Sequence, residues 1–133
     1  MRLPRVLIAG THSGCGKTSV TAGLLRALAR RGLAVQPFKV GPDFIDPALL
    51  TASAGRPCRN LDSWILPPAT IAELLARGAE TVQAAVIEGM MGLYDGRGGA
   101  GDEGSTAEVA RLAGVPVILV VDVGGASRSA AAT

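Results

Sequence analysis

Large rings are scarce in this chain. Its 133 residues include two Phe, one Trp and one Tyr. That argues against a sandwich packed with aromatic rings; Ala, Val, Leu and Gly carry the composition and favour tight helix-on-strand packing. Histidine occurs once, as His12, so neither a Ser-His-Asp nor a Cys-His arrangement is available and covalent acyl transfer is not expected. There are two cysteines, Cys15 and Cys58, and Cys15 lies inside a glycine-rich loop, a poor place for a structural disulfide. A reduced, cytoplasmic setting is therefore expected. Long apolar runs are missing as well. "VLIAG" is too short to span a membrane and lacks signal-peptide architecture, and "VPVILVVDV" is broken by Asp122. Charge does not cluster: 13 basic and 11 acidic residues are scattered to a net charge of +2, so neither nucleic acid nor membrane is an expected partner.

What is present suffices for one packed domain, since 48% of the residues are hydrophobic. Short β-branched runs alternate with longer helical stretches. Strands are expected at 5–10, 34–40, 84–89 and 115–122, with Pro37 marking the second as an edge or a bulge. Helices are expected at 17–32, 47–55, 66–78 and 105–114, and the last residues read as the beginning of another. In the first helix Val20, Leu24, Leu25 and Leu28 share a face and Gly32 closes it. The second has Asp46 as a candidate N-cap, the third starts at Thr70 or the prolines before it, and Ser105 with Glu108 forms a capping box for the fourth. Fully apolar strands alternating with helices imply an α/β fold, a mostly parallel sheet with helices on both faces. Gly, Asp, Glu and Lys gather after each strand, at 10–18, 39–46, 88–104 and 122–125. In such a sheet those loops share the rim where ligands bind.

The first loop, "GTHSGCGKTS", ends as a phosphate-binding loop does, but its leading glycine is Gly10 and not residue 11, giving Gly-x5-Gly-Lys-Thr. Strand, glycine-rich turn and helix are the context in which backbone N–H groups and the helix end hold phosphates. Gly14 and Gly16 shape the turn, Lys17 would reach the β- and γ-phosphates, and the Thr18 hydroxyl would hold Mg²⁺. In "FKVGPDFIDP", Lys39 ends a strand, and Asp43 and Asp46 follow. Asp46 either caps its helix or serves the site, whereas Asp43 has no comparable structural task. Glu88 ends the third strand, where a Mg²⁺-associated carboxylate belongs, and Asp122 competes with it at the end of the fourth. Asp95 lies in a glycine-rich loop that either closes over a substrate or merely turns. Met90 and Met91 face an apolar substrate or pack locally, and the Cys15 side chain has no evident task.

Taken together, "GTHSGCGKT", "VQPFKVGPDFIDP", "RNLDSWILPP", "VIEGMMGLYDG" and "VPVILVVDVGGASRSAAAT" resemble the amino-terminal synthetase domain of the cobyrinic and hydrogenobyrinic acid a,c-diamide synthases, over essentially the whole chain. The resemblance implies a P-loop NTPase fold of the dethiobiotin-synthetase type, with residues 1–133 forming an incomplete ATP-binding domain and the glutamine amidotransferase domain absent. It implies ATP and Mg²⁺ as cofactors, a corrinoid as substrate, ammonia from a glutaminase domain outside this chain, and a homodimer as a possible assembly. By the same resemblance Gly10, Thr11, Ser13, Gly14, Cys15, Gly16, Lys17, Thr18 and Ser19 bind ATP. Thr18, Asp43 and Glu88 surround the metal, Lys39, Asp43 and Asp95 are catalytic, and Asp46, Tyr94 and Asp95 meet the substrate. ATP would phosphorylate a ring carboxylate and ammonia would displace the phosphate. Two other readings share the phosphate loop. A partition-ATPase switch usually has lysine after the first glycine, where Thr11 stands here, and a dethiobiotin-synthetase-like ligase does not account for "KVGPDFIDP".

Overall fold

The computed structural model describes residues 3–133. The elements run β1 (Arg5–Gly10), α1 (Lys17–Arg30), β2 (Val35–Val40), α2 (Asp46–Ala54), β3 (Arg59–Leu61), α3 (Pro68–Ala79), β4 (Ala84–Glu88), α4 (Thr106–Ala113), β5 (Val117–Val120) and a 3₁₀ turn at Arg128–Ala132. The five strands form one parallel sheet in the order β3-β2-β4-β1-β5. Strand alternation sorts the core onto two faces. Leu7, Phe38, Val40 and Ile87 pack with Ile71 and Leu75 of α3 and Val109 of α4. Ile8, Val35 and Val86 pack with Leu25 of α1 and Leu50 of α2. Helices thus cover both faces, as the alternation of runs predicts.

Three expectations need correction, and one strand goes unforeseen. β2 is interior and entirely buried, not an edge. Pro37 is accommodated because pairing with β3 begins only at Phe38, leaving the strand a neighbour on one side at that residue. β3 itself escapes sequence reading: three residues beginning with two polar ones carry no apolar run. On α1 the expected Leu24, Leu25 and Leu28 do pack inward, but Val20 is exposed, and Lys17 and Thr21 extend the buried stripe to the phosphate loop instead. β5 is not buried: Val117, Ile118 and Leu119 are 38%, 50% and 46% exposed at an open sheet edge.

The α4 capping box forms with one arm displaced. Ser105 Oγ accepts the Glu108 N–H, as expected, but the Glu108 carboxylate accepts the N–H of Gly104 and not that of Ser105. The Ser105 N–H donates instead to the Asp102 carbonyl. α2 and α4 both stop at a glycine in the left-handed region, Gly55 and Gly114. Among the described residues no helix is long and apolar enough to cross a membrane.

Candidate active site

The carboxyl ends of β1, β2 and β4 open on a cleft of about 490 Å³ lined by Ser13, Gly14, Gly16, Lys17, Thr18, Ser19, Lys39, Asp43, Asp46, Met90 and Met91. Its floor is the phosphate loop. Gly14 and Gly16 have φ of +82° and +108°, a conformation closed to ordinary side chains, and this is what curls the loop around its own N–H groups. α1 starts with no side-chain cap and no acidic residue in its first turn, so its N-terminal dipole faces the cleft. Lys17 arches back over the loop and donates to the His12 carbonyl at 3.0 Å.

Gly10 explains the early glycine. A Cβ there would collide with the Cys15 sulfur and the Lys17 side chain. Cys15, whose side chain has no task legible in the sequence, is the buried wedge under the loop, its thiol directed at the Val120 carbonyl 3.7 Å away. Thr11 and His12 are exposed and touch each other at 2.9 Å.

Behind the loop lies an acid-rich cluster. Glu88 alternates with Val86 onto the α1 face and is paired in register with Lys39 on β2. Both side chains are buried. Lys39 Nζ donates to Asp46 Oδ2 at 2.9 Å and to the Gly89 carbonyl at 3.0 Å. It lies 3.5 Å from Glu88 Oε1 and 3.7 Å from Asp43 Oδ2. The Thr18 hydroxyl is 2.5 Å from Glu88 Oε1 and 3.4 Å from Asp46 Oδ2. Three carboxylates therefore surround one ammonium, an arrangement short of positive charge. Burial pushes the Glu88 carboxyl above its usual value, against the Thr18 hydrogen bond and the Lys39 charge, which lower it. Glu88 Oε2 is buried and has no hydrogen-bond partner among the described residues, a vacancy in bonding that an added donor or cation would fill.

Asp46 takes the second of the two roles open to it, and Asp43 lines the cleft but also has a structural task. Asp46 does not cap α2; its carboxylate turns inward to Lys39 and Thr18. Asp43 Oδ1 accepts the N–H groups of Ile45 and Asp46 at 2.8 and 3.1 Å and so secures the helix start, a structural task that the sequence does not signal. Burial raises the Asp43 carboxyl, but those N–H groups and Lys39 outweigh it and hold it below the usual value. Glu88, not Asp122, meets Thr18; Asp122 is exposed and accepts the Gly124 N–H.

Tyr94 and Asp95 stand apart from this cleft, lining a second concavity with Gly10, Thr11, Gly92, Leu93 and Leu119. The Asp95 carboxylate accepts the Gly92 N–H at 2.8 Å, the turn role weighed for it. Met90 and Met91 do line the cleft. Met91 has φ of +51°, unusual for a side chain of its size, and Met90 lies against Gly41, where a Cβ could not fit. Two further supports went unread in the sequence. Thr106 Oγ1 bonds both the N–H and the carbonyl of Met90. Asn60 Nδ2 donates to the carbonyls of Gly41 and Asp43, both at 2.8 Å. Ser105 at the N-cap signals Thr106 as the first helical residue, but no local pattern signals Asn60.

Comparison with known proteins agrees with this geometry. The family model "CobQ/CobB/MinD/ParA nucleotide binding domain" matches residues 6–122. The cobyrinate a,c-diamide synthases of Syntrophotalea carbinolica and Thermoplasma volcanium are each 52% identical to the chain over 132 residues, 99% of this chain and 29% of the relative. The hydrogenobyrinate a,c-diamide synthase of Streptomyces coelicolor is 52% identical over 130 residues, 98% of this chain and 27% of the relative. The chain thus spans less than a third of the length of these relatives. The match over residues 6–122 covers the phosphate loop between β1 and α1, the parallel sheet and the buried acid at the end of β4, and the chain belongs to the CobQ/CobB/MinD/ParA nucleotide-binding domain family, with a P-loop NTPase fold.

Proposed function

We propose that this chain is part of the ATP-dependent domain of an amide-forming ligase that activates carboxylates on a corrinoid, cobyrinate or hydrogenobyrinate, in cobalamin biosynthesis. The observation that carries the reading is the Lys39 cluster behind the phosphate loop, with Asp46 and Glu88 converging on the Thr18 hydroxyl. The substrate class rests on the names of the relatives.

The residues present fit Mg²⁺. Thr18 and Glu88 would hold it, with Asp46 beside them, and the unpartnered Glu88 oxygen and the excess of carboxylate charge are the features that favour it. Among the described residues no three acids, histidines or cysteines enclose an ion by themselves. Water and phosphate oxygens would complete its coordination, as is usual for Mg²⁺. Bound there, the ion would neutralise charge on the β- and γ-phosphates.

The chain's own groups do the rest. Backbone N–H groups of residues 13–18 and the Lys17 ammonium hold the triphosphate. A ring carboxylate oxygen attacks the γ-phosphorus in line, the bond to the bridging oxygen breaks, and ADP leaves with an acyl phosphate formed. Ammonia then attacks the acyl carbon, phosphate departs with the bonding pair, and a proton is released as the amide forms. Lys39 stabilises the charge that builds on the transferring phosphoryl group. Asp43, fixed by the start of α2, holds that lysine's environment negative. Phe44 and Ile45, 87% and 84% exposed at the mouth, together with Met90, form the apolar wall for the ring. Tyr94 and Asp95, on the neighbouring concavity, meet the ring periphery.

The test is incubation with cobyrinate, ATP, magnesium and ammonium, the acceptor carboxylates carrying oxygen-18. Corrinoid-dependent ADP release with oxygen-18 in the phosphate supports the reading. ADP release indifferent to the corrinoid would sink it.

A further inference from the structure

The loop that carries the cleft's two aspartates has little apolar anchorage. Its largest side chains, Phe44 and Ile45, point into water, so its path has to be fixed by polar contacts. Gly41 turns the chain at φ +86° and its N–H reaches the Leu61 carbonyl at 2.9 Å. The two carbonyls on the inner side of the turn, Gly41 and Asp43, both accept from one group, the Asn60 side-chain amide, at 2.8 Å each. Asn60 is on β3, paired in register with Lys39, and it does not line the cleft. One short edge strand therefore ties the loop to the same level of the sheet as the lysine.

We infer that Asn60 is a positioning residue for the acid side of the cleft: its amide hydrogens hold residues 41–43 so that the Asp46 carboxylate meets Thr18 and Lys39. This deepens the metal and phosphate reading above and rests on it. The chemistry gives a clear ordering of variants. Aspartate has the size of asparagine but offers oxygens only, so it would face two carbonyls with repulsion. Alanine merely removes the donor and leaves room for water. A residue that only filled space would show the opposite order.

The experiment compares wild type, Asn60→Asp and Asn60→Ala in two measurements on the chain. One is amide hydrogen exchange at Ile45 and Asp46, whose N–H groups bond to Asp43. The other is affinity for a fluorescent ATP analogue with and without magnesium. In Asn60→Asp, exchange at these amides should quicken about tenfold or more, and the gain in affinity from magnesium should fall by about tenfold, the scale of one or two lost hydrogen bonds. Asn60→Ala should lie between that variant and wild type. Magnesium-free affinity should stay within about twofold, because the glycine conformations and the Lys17 to His12 bond that shape the phosphate loop involve none of residues 41–43. Wild-type exchange in Asn60→Asp, a larger effect of alanine than of aspartate, or a parallel fall of both affinities would each overturn the inference. A wild type that gains nothing from magnesium would instead overturn the metal reading, and the exchange measurement would still decide the role of Asn60.

Discussion

Replacing Glu88 by glutamine separates what this residue does for the cleft from what it does for the fold. At the 3.5 Å between Glu88 Oε1 and Lys39 Nζ, an effective dielectric constant of about 20 gives an attraction of about 5 kcal/mol. Taking the carboxylate out of water costs several kcal/mol in the opposite sense. The upward displacement of the Glu88 carboxyl says that burial outweighs its partners. Glutamine keeps an acceptor for Thr18 and removes the buried charge. Lys39 is not stranded, since Asp46 remains 2.9 Å away. Folding stability at pH 7 should therefore change by less than about 2 kcal/mol, towards greater stability. The sign with pH is fixed. Below the unfolded value of 4.5 both states of the wild type are protonated and the charge penalty is absent. As pH rises through the raised folded value the wild type loses stability relative to the variant. Urea unfolding from pH 4 to pH 8 reads this directly. Nucleotide affinity should meanwhile lose about tenfold to a hundredfold of its gain from magnesium, the value of one charge-assisted contact. A variant destabilised by more than about 3 kcal/mol at pH 7, or one that keeps the full magnesium effect, refutes the reasoning.

Other expectations follow from the same geometry. Asp43→Ala strips two N–H groups at the start of α2 of their acceptor, and thermal unfolding should show a loss of about 1 kcal/mol. Because the Asp43 carboxyl is lowered, its contribution is full above the unfolded value of 3.8 and is lost as pH falls through the folded one, so the acid limb of stability should flatten in this variant. Gly10→Ala drives a methyl into Cys15 and Lys17; a loss of about 1–3 kcal/mol and of nucleotide binding is expected by calorimetry, and unchanged binding would count against the close approach. The half-buried Cys58 thiol is pushed up to about 12 by burial and then by the Glu88 charge, so iodoacetamide should alkylate it far more slowly at pH 8 than a free thiol. Phe44→Ser with Ile45→Ser should raise the corrinoid KM about tenfold while leaving the ATP KM unchanged, and equal shifts in both would remove the apolar wall from the account.

Much of this architecture was legible because it repeats. β1, α1, β4 and α4 each have a continuous apolar period bounded by a glycine or a cap, and the phosphate loop has fixed spacing. The failures arose where long-range contacts override local pattern. Pro37 is a strand-edge signal, and only the shortness of β3 lets an interior strand carry it. Asp46 stands at the natural cap position and leaves two roles open in sequence; the long-range contact with Lys39 decides for the site, and Asp43 three residues earlier supplies the cap. Cys15, in the loop, has meaning only beside Gly10 and Val120, at the ends of two neighbouring strands. Asn60 acts across the sheet on a loop 17 to 19 residues away in sequence, a separation no local window contains.

The exposed edge of β5 has a practical consequence. Val117, Ile118 and Leu119 present apolar side chains beside an unpaired row of backbone donors and acceptors, the combination that templates strand addition between molecules. A concentrated solution of the 133-residue polypeptide should therefore self-associate first along this edge. A lysine at Ile118, on the strand bordering β1, is the simplest gatekeeper for keeping the chain monodisperse through purification and binding assays.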